Sequence, residues 1–144
     1  MDSTNLPSPA VSSGRGLHIG LWVAQVVLAL LFGMAGVSKA TQPIADLAQQ
    51  LVWPGAVPAG LVRFIGTAEL LGAIGLVLPA ATRIKPWLTP LAAAGLVTVM
   101  VLASAFHLTR GEFGGIAFNA VLGSIAAFVA WGRFRKAPIA PRGA

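Results

Sequence analysis

A few polar side chains stand inside apolar stretches of the sequence, and their types suit acid–base and hydrogen-bonding chemistry. Glu69 lies about ten residues into an apolar run, which is about 15 Å at the helical rise of 1.5 Å per residue. An ionised side chain at the bilayer centre costs at least about 2.5–3.5 kcal/mol, and intramembrane carboxylates are usually functional. Gly66, Gly72 and Ala73 share its helical face, so we expect Glu69 to face a helix bundle rather than lipid.

Other polar residues are expected to meet Glu69 at one end of that bundle. In an up-and-down arrangement, the ends of the first and third runs lie beside the starts of the second and fourth. The residues assigned to this half of the membrane are Lys39, Arg63, Glu69, His107 and Asn119. Gln25 precedes Lys39 by about two heptads on roughly the same face and is predicted to lie deeper. The opposite half is predicted to hold no comparable set.

Glu69 and His107 are predicted to form a catalytic acid–base pair. The predicted substrate-binding residues are Lys39, Arg63, Asn119 and Gln25. Purely structural roles stay open for the same residues. Glu69 can be a buried acid held by a cation, and Lys39 can snorkel to the interface. His107 can complement a helix dipole, and Asn119 can join two helices by a hydrogen bond.

The elements that must position these residues are four apolar helices. The predicted crossings are residues 17–38, 59–81, 87–107 and 113–131, each near the roughly 20 residues that span a bilayer. Short turns between them predict an all-α fold, an integral membrane antiparallel four-helix bundle over residues 17–135.

Three further segments lie outside these crossings. Residues 1–16 predict a disordered N-terminal tail, and residues 136–144 predict a basic C-terminal tail. Residues 42–51 form a short amphipathic stretch, and the Pro- and Gly-rich segment after it predicts an interfacial loop anchored by Trp53.

The composition indicates a membrane protein. The 144 residues are 56% hydrophobic and 10% charged, whereas soluble domains are about 25% charged. Lys and Arg number 10 against 4 Asp and Glu, but the cations lie at the ends of apolar runs. The lipid bilayer is therefore the expected partner, and nucleic acid is not.

The distribution of the cations predicts the orientation. Four crossings put both termini on one side, and seven of the 10 cations lie there: Arg15, Arg83, Lys85, Arg133, Arg135, Lys136 and Arg142. The positive-inside rule then predicts a multi-pass protein of the cell membrane with cytoplasmic termini.

Several chemistries are excluded or disfavoured. The sequence has no cysteine, which excludes thiol redox chemistry and cysteine-ligated metals. His18 and His107 are predicted at opposite ends of the bundle, so no haem is expected, and no metal site is expected either. No phosphate-binding loop, dinucleotide fingerprint or nucleophile elbow is present. The remaining candidate is an apolar chamber that suits a quinone or another lipophilic ligand with hydrogen-bonding oxygens.

Four stretches together resemble the DoxX-like family of small four-helix membrane proteins. They are FGMAGVSKA (32–40), LVRFIGTAELLGAIGLVLP (61–79), PLAAAGLVTVMVLASAFHLTRGE (90–112) and the Asn119 helix that ends at WGRFR. The most specific part is the pattern formed by Arg63, Gly66, Glu69, Leu70, Gly72 and Pro79. The resemblance implies the four-helix fold and polar positions at Lys39, Arg63, Glu69, His107 and Asn119. It also implies an association with membrane redox systems, since the family's namesake is associated with a thiosulfate:quinone oxidoreductase.

Three functional hypotheses follow. The first is a redox accessory subunit that holds a quinone-like molecule and docks a membrane redox partner. The second is a membrane enzyme that performs acid–base chemistry, such as isomerisation, hydration or ring opening, on a lipophilic substrate. The third is a non-catalytic transporter or scaffold, which at this size would work as a homo-oligomer.

Overall fold

A computed structural model describes residues 13–143, and every regular element in that range is helical. The elements are α1 (Ser13–Thr41), α2 (Ile44–Leu51), a 3-10 turn (Trp53–Ala56), α3 (Ala59–Thr82), α4 (Leu88–Thr109), α5 (Phe113–Trp131) and a closing π-helical turn (Gly132–Lys136). Four of them, α1, α3, α4 and α5, are long and apolar enough to cross a membrane. The all-α prediction and the four apolar helices are therefore confirmed.

The helix boundaries differ from the predicted ones mainly at α1. This helix begins at Ser13, so residues 13–16 of the predicted tail are helical, and the rest of that tail lies outside the described residues. The short stretch before Trp53 forms a separate helix, α2, whose Leu47 is fully buried. The segment at Trp53 is a 3-10 turn rather than an irregular loop.

The four long helices form a ring in which α1 packs on α3, α3 on α4, and α4 on α5. Gly36 contacts Gly66, Gly33 faces Ala73, and Gln25 reaches Leu76. The residue numbers of these contacts fall along α1, from 36 to 33 to 25, while they rise along α3, from 66 to 73 to 76. The contacts between α1 and α5 are sparser than those of the other neighbouring pairs.

The core lies between the four long helices, and their outer faces are apolar as well. Leu28, Leu76 and Val129 are fully buried, whereas Met34, Phe64 and many other large apolar side chains point outward. Such an outer surface would be a large apolar patch in water, but it matches the hydrocarbon of a bilayer. The two ends of the bundle differ, and we call them the cavity end and the basic end. The cavity end holds the end of α1, α2 and the α4–α5 turn, and the basic end holds the α3–α4 turn and the end of α5.

Candidate functional site

An ion pair between α1 and α3 forms the floor of the site. Lys39 Nζ donates to Glu69 Oε2 at 2.6 Å, and both side chains are buried. The two helices can bring them together because Gly66 has no side chain: a Cβ there would lie 2.6 Å from Lys39 Cβ. The carboxylate thus faces into the bundle as predicted, and its charge is met by a cation.

Arg63 fixes the end of α1 rather than the ion pair itself. Its Nη1 donates to the backbone oxygen of Lys39 at 2.7 Å, in the last turns of α1, where carbonyl groups lack helical partners. A cation there also complements the helix dipole. Arg63 therefore positions the backbone that carries Lys39.

The turn between α4 and α5 carries a second charged group that was not predicted as part of the site. His107 Nδ1 lies 2.6 Å from Glu112 Oε2, and Arg110 Nε donates to Glu112 Oε1 at 2.7 Å. The Arg110 guanidinium, followed by the His107 imidazole, lowers the pKa of Glu112 below its ordinary value of 4.5. An ionised carboxylate only accepts hydrogen bonds, so Nδ1 of His107 carries the proton.

Gly115 allows the imidazole to lie against the start of α5. A Cβ at that position would be 2.8 Å from the His107 ring. The ring also makes an edge contact with Phe106, which in turn contacts Trp53. The imidazole is therefore confined on two sides, while its Nε2 makes no hydrogen bond within the described residues.

Asn119 on α5 lines the same region, and its amide nitrogen lacks a hydrogen-bond partner among the described residues. Its side chain is 6% exposed, and its Nδ2 is buried with no hydrogen-bond partner among the described residues. A buried donor without a partner costs about 1–3 kcal/mol. It therefore marks a place where a further acceptor would be stabilising.

These groups line one cavity of about 720 Å³ at the cavity end. Ligand pockets typically measure about 300–1,000 Å³. Its polar lining includes Lys39, Glu69, His107, Glu112 and Asn119. Its apolar lining comes from α1, α2, the 3-10 turn, α4 and α5, and includes Phe32, Leu47, Trp53, Met100, Phe118 and Leu122.

Comparison with known proteins agrees with this architecture. A sequence model described as the DoxX-like family matches residues 23–129. The chain belongs to the DoxX-like family. No curated protein and no solved structure matched the chain. The family match runs from α1 to α5 and includes every polar residue that lines the cavity of this DoxX-like protein.

Four of the predicted site residues of this DoxX-like protein meet in the cavity: Glu69, His107, Lys39 and Asn119. Glu69 and His107, the predicted acid–base pair, each bind a different residue: Glu69 binds Lys39, and His107 binds Glu112. Glu112 lies in the short turn between the third and fourth predicted crossings. It follows His107 by five residues, across a turn that contains Gly111. This spacing is the sequence signal that could have identified Glu112 as the partner of His107.

Gln25 lies away from the cavity. Its Nε2 donates to Leu76 O at 2.6 Å, and its Oε1 accepts from Arg133 Nε at 2.7 Å. The shared face with Lys39 was not enough to bring the two together, because 14 intervening steps move about 21 Å along a helix. The structure therefore places Gln25, one of the predicted substrate-binding residues, outside the lining of the cavity.

A second polar cluster forms around Arg133, although none was expected in this half of the bundle. Arg133 is 2% exposed and also contacts His18 Nδ1 and Ala137 O, both at 3.1 Å. Its guanidinium lies over the Trp22 ring, 5.6 Å from the centroid. Arg133 is one of the seven cations predicted on the side of the two termini, and the structure buries it in this cluster.

Within the part of the chain that the structure describes, no three His, Asp or Glu side chains come together to hold a metal ion. The groups around the cavity are instead hydrogen-bond donors and acceptors on apolar walls. This arrangement can hold and orient the oxygens of an organic ligand, and it can exchange a proton at the imidazole.

Proposed function

We propose that this DoxX-like protein binds a quinone-like lipophilic molecule in the cavity, as part of a membrane redox system. The observation that carries the proposal is the buried Asn119 amide, which lines the cavity without a hydrogen-bond partner in the described residues. A carbonyl oxygen of the ligand would accept from Nδ2 and remove the cost of that unpaired donor.

A second polar contact is available at His107. Because Glu112 holds Nδ1, Nε2 is the nitrogen left to accept from a ligand hydroxyl, or to donate when the ring is protonated. Asn119 and His107 thus offer a donor and an acid–base group in one chamber. Quinone-like molecules carry two oxygens that can use such a pair.

The sparse packing between α1 and α5 supports entry from the membrane. Both helices line the cavity, and Met34 on α1 and Phe118 on α5 are 66% and 60% exposed at its edge. A lipophilic ligand would pass between these apolar side chains without entering water, and α2 would cover the end of the chamber.

The test measures binding of a short-chain quinone to the purified full chain in detergent, with quenching of tryptophan fluorescence as the signal. Trp53 lines the cavity, so a Trp53→Phe variant identifies the part of the signal that comes from it. We expect Asn119→Leu to weaken binding about threefold to tenfold, the loss of one neutral hydrogen bond.

Ser124→Ala is the matched control on the same helix, because the Ser124 hydroxyl donates a hydrogen bond to Ala120 O of its own helix and Ser124 does not line the cavity. Its affinity should equal that of the wild type. Absence of saturable quenching in the wild-type protein, or equal affinity in Asn119→Leu, would contradict the proposal.

A second candidate function is acid–base catalysis on a lipophilic substrate. It is favoured by the imidazole–carboxylate pair of His107 and Glu112 beside the cavity, an arrangement that orients a general base. In this alternative Glu69 serves as the second acid–base group. Glu69→Gln and His107→Gln variants that fold but lose turnover of a bound substrate would support it, and retained turnover in both would refute it.

A further inference from the structure

The basic end of the bundle carries positive charge that no carboxylate compensates within residues 13–143. All ion pairs found in that range involve Glu69 or Glu112, at the cavity end. The remaining carboxylate side chain in the range, Asp46, lies on α2 at the cavity end as well. Seven of the 10 Lys and Arg residues therefore stand at the basic end without an anionic neighbour in the described chain.

The C-terminal segment folds back on this end and brings two arginines together. Arg83 Nε donates to Ala140 O at 3.0 Å, and its Nη2 donates to Pro141 O at 3.3 Å. The backbone N–H of Arg142 donates to Arg83 O at 2.9 Å. Arg83 and Arg142 are both exposed, and the backbone hydrogen bond places these two cationic residues side by side at the surface.

The buried guanidinium of Arg133 adds to the positive potential of this end. Its polar contacts are Gln25 Oε1, His18 Nδ1 and Ala137 O, none of which is a carboxylate, and its Nη2 is buried without a partner in the described residues. An arginine cannot lose its charge by deprotonation in a protein. An anion bound nearby would therefore stabilise the folded chain.

We propose that the basic end binds the phosphate group of an anionic phospholipid, held between Arg83 and Arg142. Guanidinium groups match phosphate oxygens in geometry and charge. A bilayer lipid is favoured over a free anion because Trp87, Trp131 and Phe134 are exposed at this end, as aromatic side chains are at the level of lipid headgroups. The proposal is independent of the ligand in the cavity.

The experiment measures thermal unfolding of the full chain in neutral detergent with three additions: short-chain phosphatidylglycerol, phosphatidylcholine of the same chain length, and inorganic phosphate. Phosphatidylglycerol should raise the unfolding temperature in a saturable way, because a ligand of the folded state stabilises it. The other two should have little effect.

Arg142→Gln removes one charge but keeps the backbone N–H that holds the tail. We expect about fivefold weaker binding of phosphatidylglycerol, since one cation near an anionic lipid surface is worth about 1 kcal/mol. Arg142→Lys should restore part of it. Arg15→Gln is the matched control, because it removes an exposed cation of the same end that is not among the hydrogen-bond partners of the folded-back segment.

Three results would overturn the proposal. An equal loss in Arg15→Gln and Arg142→Gln would indicate diffuse attraction instead of a site. Equal stabilisation by phosphatidylcholine would remove the role of net negative charge. Full stabilisation by inorganic phosphate would assign the site to a free anion. An Asn119→Leu variant should bind phosphatidylglycerol normally, which separates this proposal from that for the cavity.

Discussion

The polar residues of the cavity differ in how far the protein itself satisfies them. Lys39 and Glu69 satisfy each other at 2.6 Å in a buried pair, and removal of one partner from such a pair typically costs about 3–5 kcal/mol because the other charge stays buried. Asn119 has no such partner in the described residues. Substitutions at Lys39 or Glu69 therefore test stability first, whereas a substitution at Asn119 tests the proposed contact with a ligand.

Glu112 gives a pH-dependent prediction at the scale of one residue. Its pKa is lowered in the folded protein, first by Arg110 and then by His107. A carboxyl group with a lowered folded pKa stabilises the fold fully above its unfolded value, near 4.5, and loses this contribution as the pH falls through the folded pKa. We expect Glu112→Gln to be less stable than the wild type at neutral pH, with a gap that closes in acid.

The measurement is the free energy of unfolding of both proteins from about pH 7 to about pH 3, a range that covers the titration of carboxyl groups. In an Arg110→Gln background, Glu112→Gln should lower the free energy of unfolding by less than in the wild type, but still to some extent, because His107 still contacts Glu112. A constant difference between wild type and Glu112→Gln across this range would contradict the assignment of the lowered pKa.

For single residues, the sequence predicted which polar side chain is buried better than it predicted the hydrogen-bond partners of such side chains. The depth of Glu69 in an apolar run indicated a buried acid, and the structure places it in the bundle. The partner of Gln25 could not be predicted, because Arg133 lies 108 residues away and the rotation of α5 about its axis depends on packing that no local pattern records.

At the scale of elements, the approach of α1 to α3 depends on two glycines. A Cβ on Gly36 would lie 2.7 Å from both Gly66 O and Leu70 N, which are backbone atoms that cannot move aside by a rotamer change. We expect Gly36→Ala to separate the two helices and to lower the free energy of unfolding by about 1–3 kcal/mol, as overpacking does.

Gly95→Ala on α4 is the control for helix propensity, because a Cβ there meets nothing within 4 Å. It should be neutral or stabilise by up to about 1 kcal/mol. Unfolding of the variants is followed by circular dichroism in detergent. Equal stability of Gly36→Ala and Gly95→Ala would show that the α1–α3 contact is not close-packed.

Helix lengths could be predicted because they follow from apolar runs and breaking residues, and α5 ends at Trp131 as expected. The short helix α2 was harder to predict. Its eight residues lie next to the Pro- and Gly-rich segment, so the local pattern suited either a loop or a helix. Burial of Leu47 against the bundle stabilises the helical form, and that contact is tertiary.

At the scale of the whole molecule, charge separates along the bundle axis. The described carboxylates stand at the cavity end, and most cations stand at the basic end. Composition and run length predicted the membrane class and the four helices. They could not predict the cavity, because it depends on which pair of helices packs loosely, and the neighbours of a helix are chosen by side-chain fit around the ring.

The same charge separation predicts that the basic end faces the cytoplasm. The sequence has no cysteine, so a single introduced cysteine is the one thiol of each variant. Gln49→Cys lies on α2 at the cavity end and Ala140→Cys lies in the tail at the basic end, and both positions are exposed. We expect a membrane-impermeant maleimide to label Gln49→Cys in intact cells and Ala140→Cys only after the membrane is permeabilised. The reverse pattern would place the cavity end in the cytoplasm, and the cavity would then open near the inner leaflet.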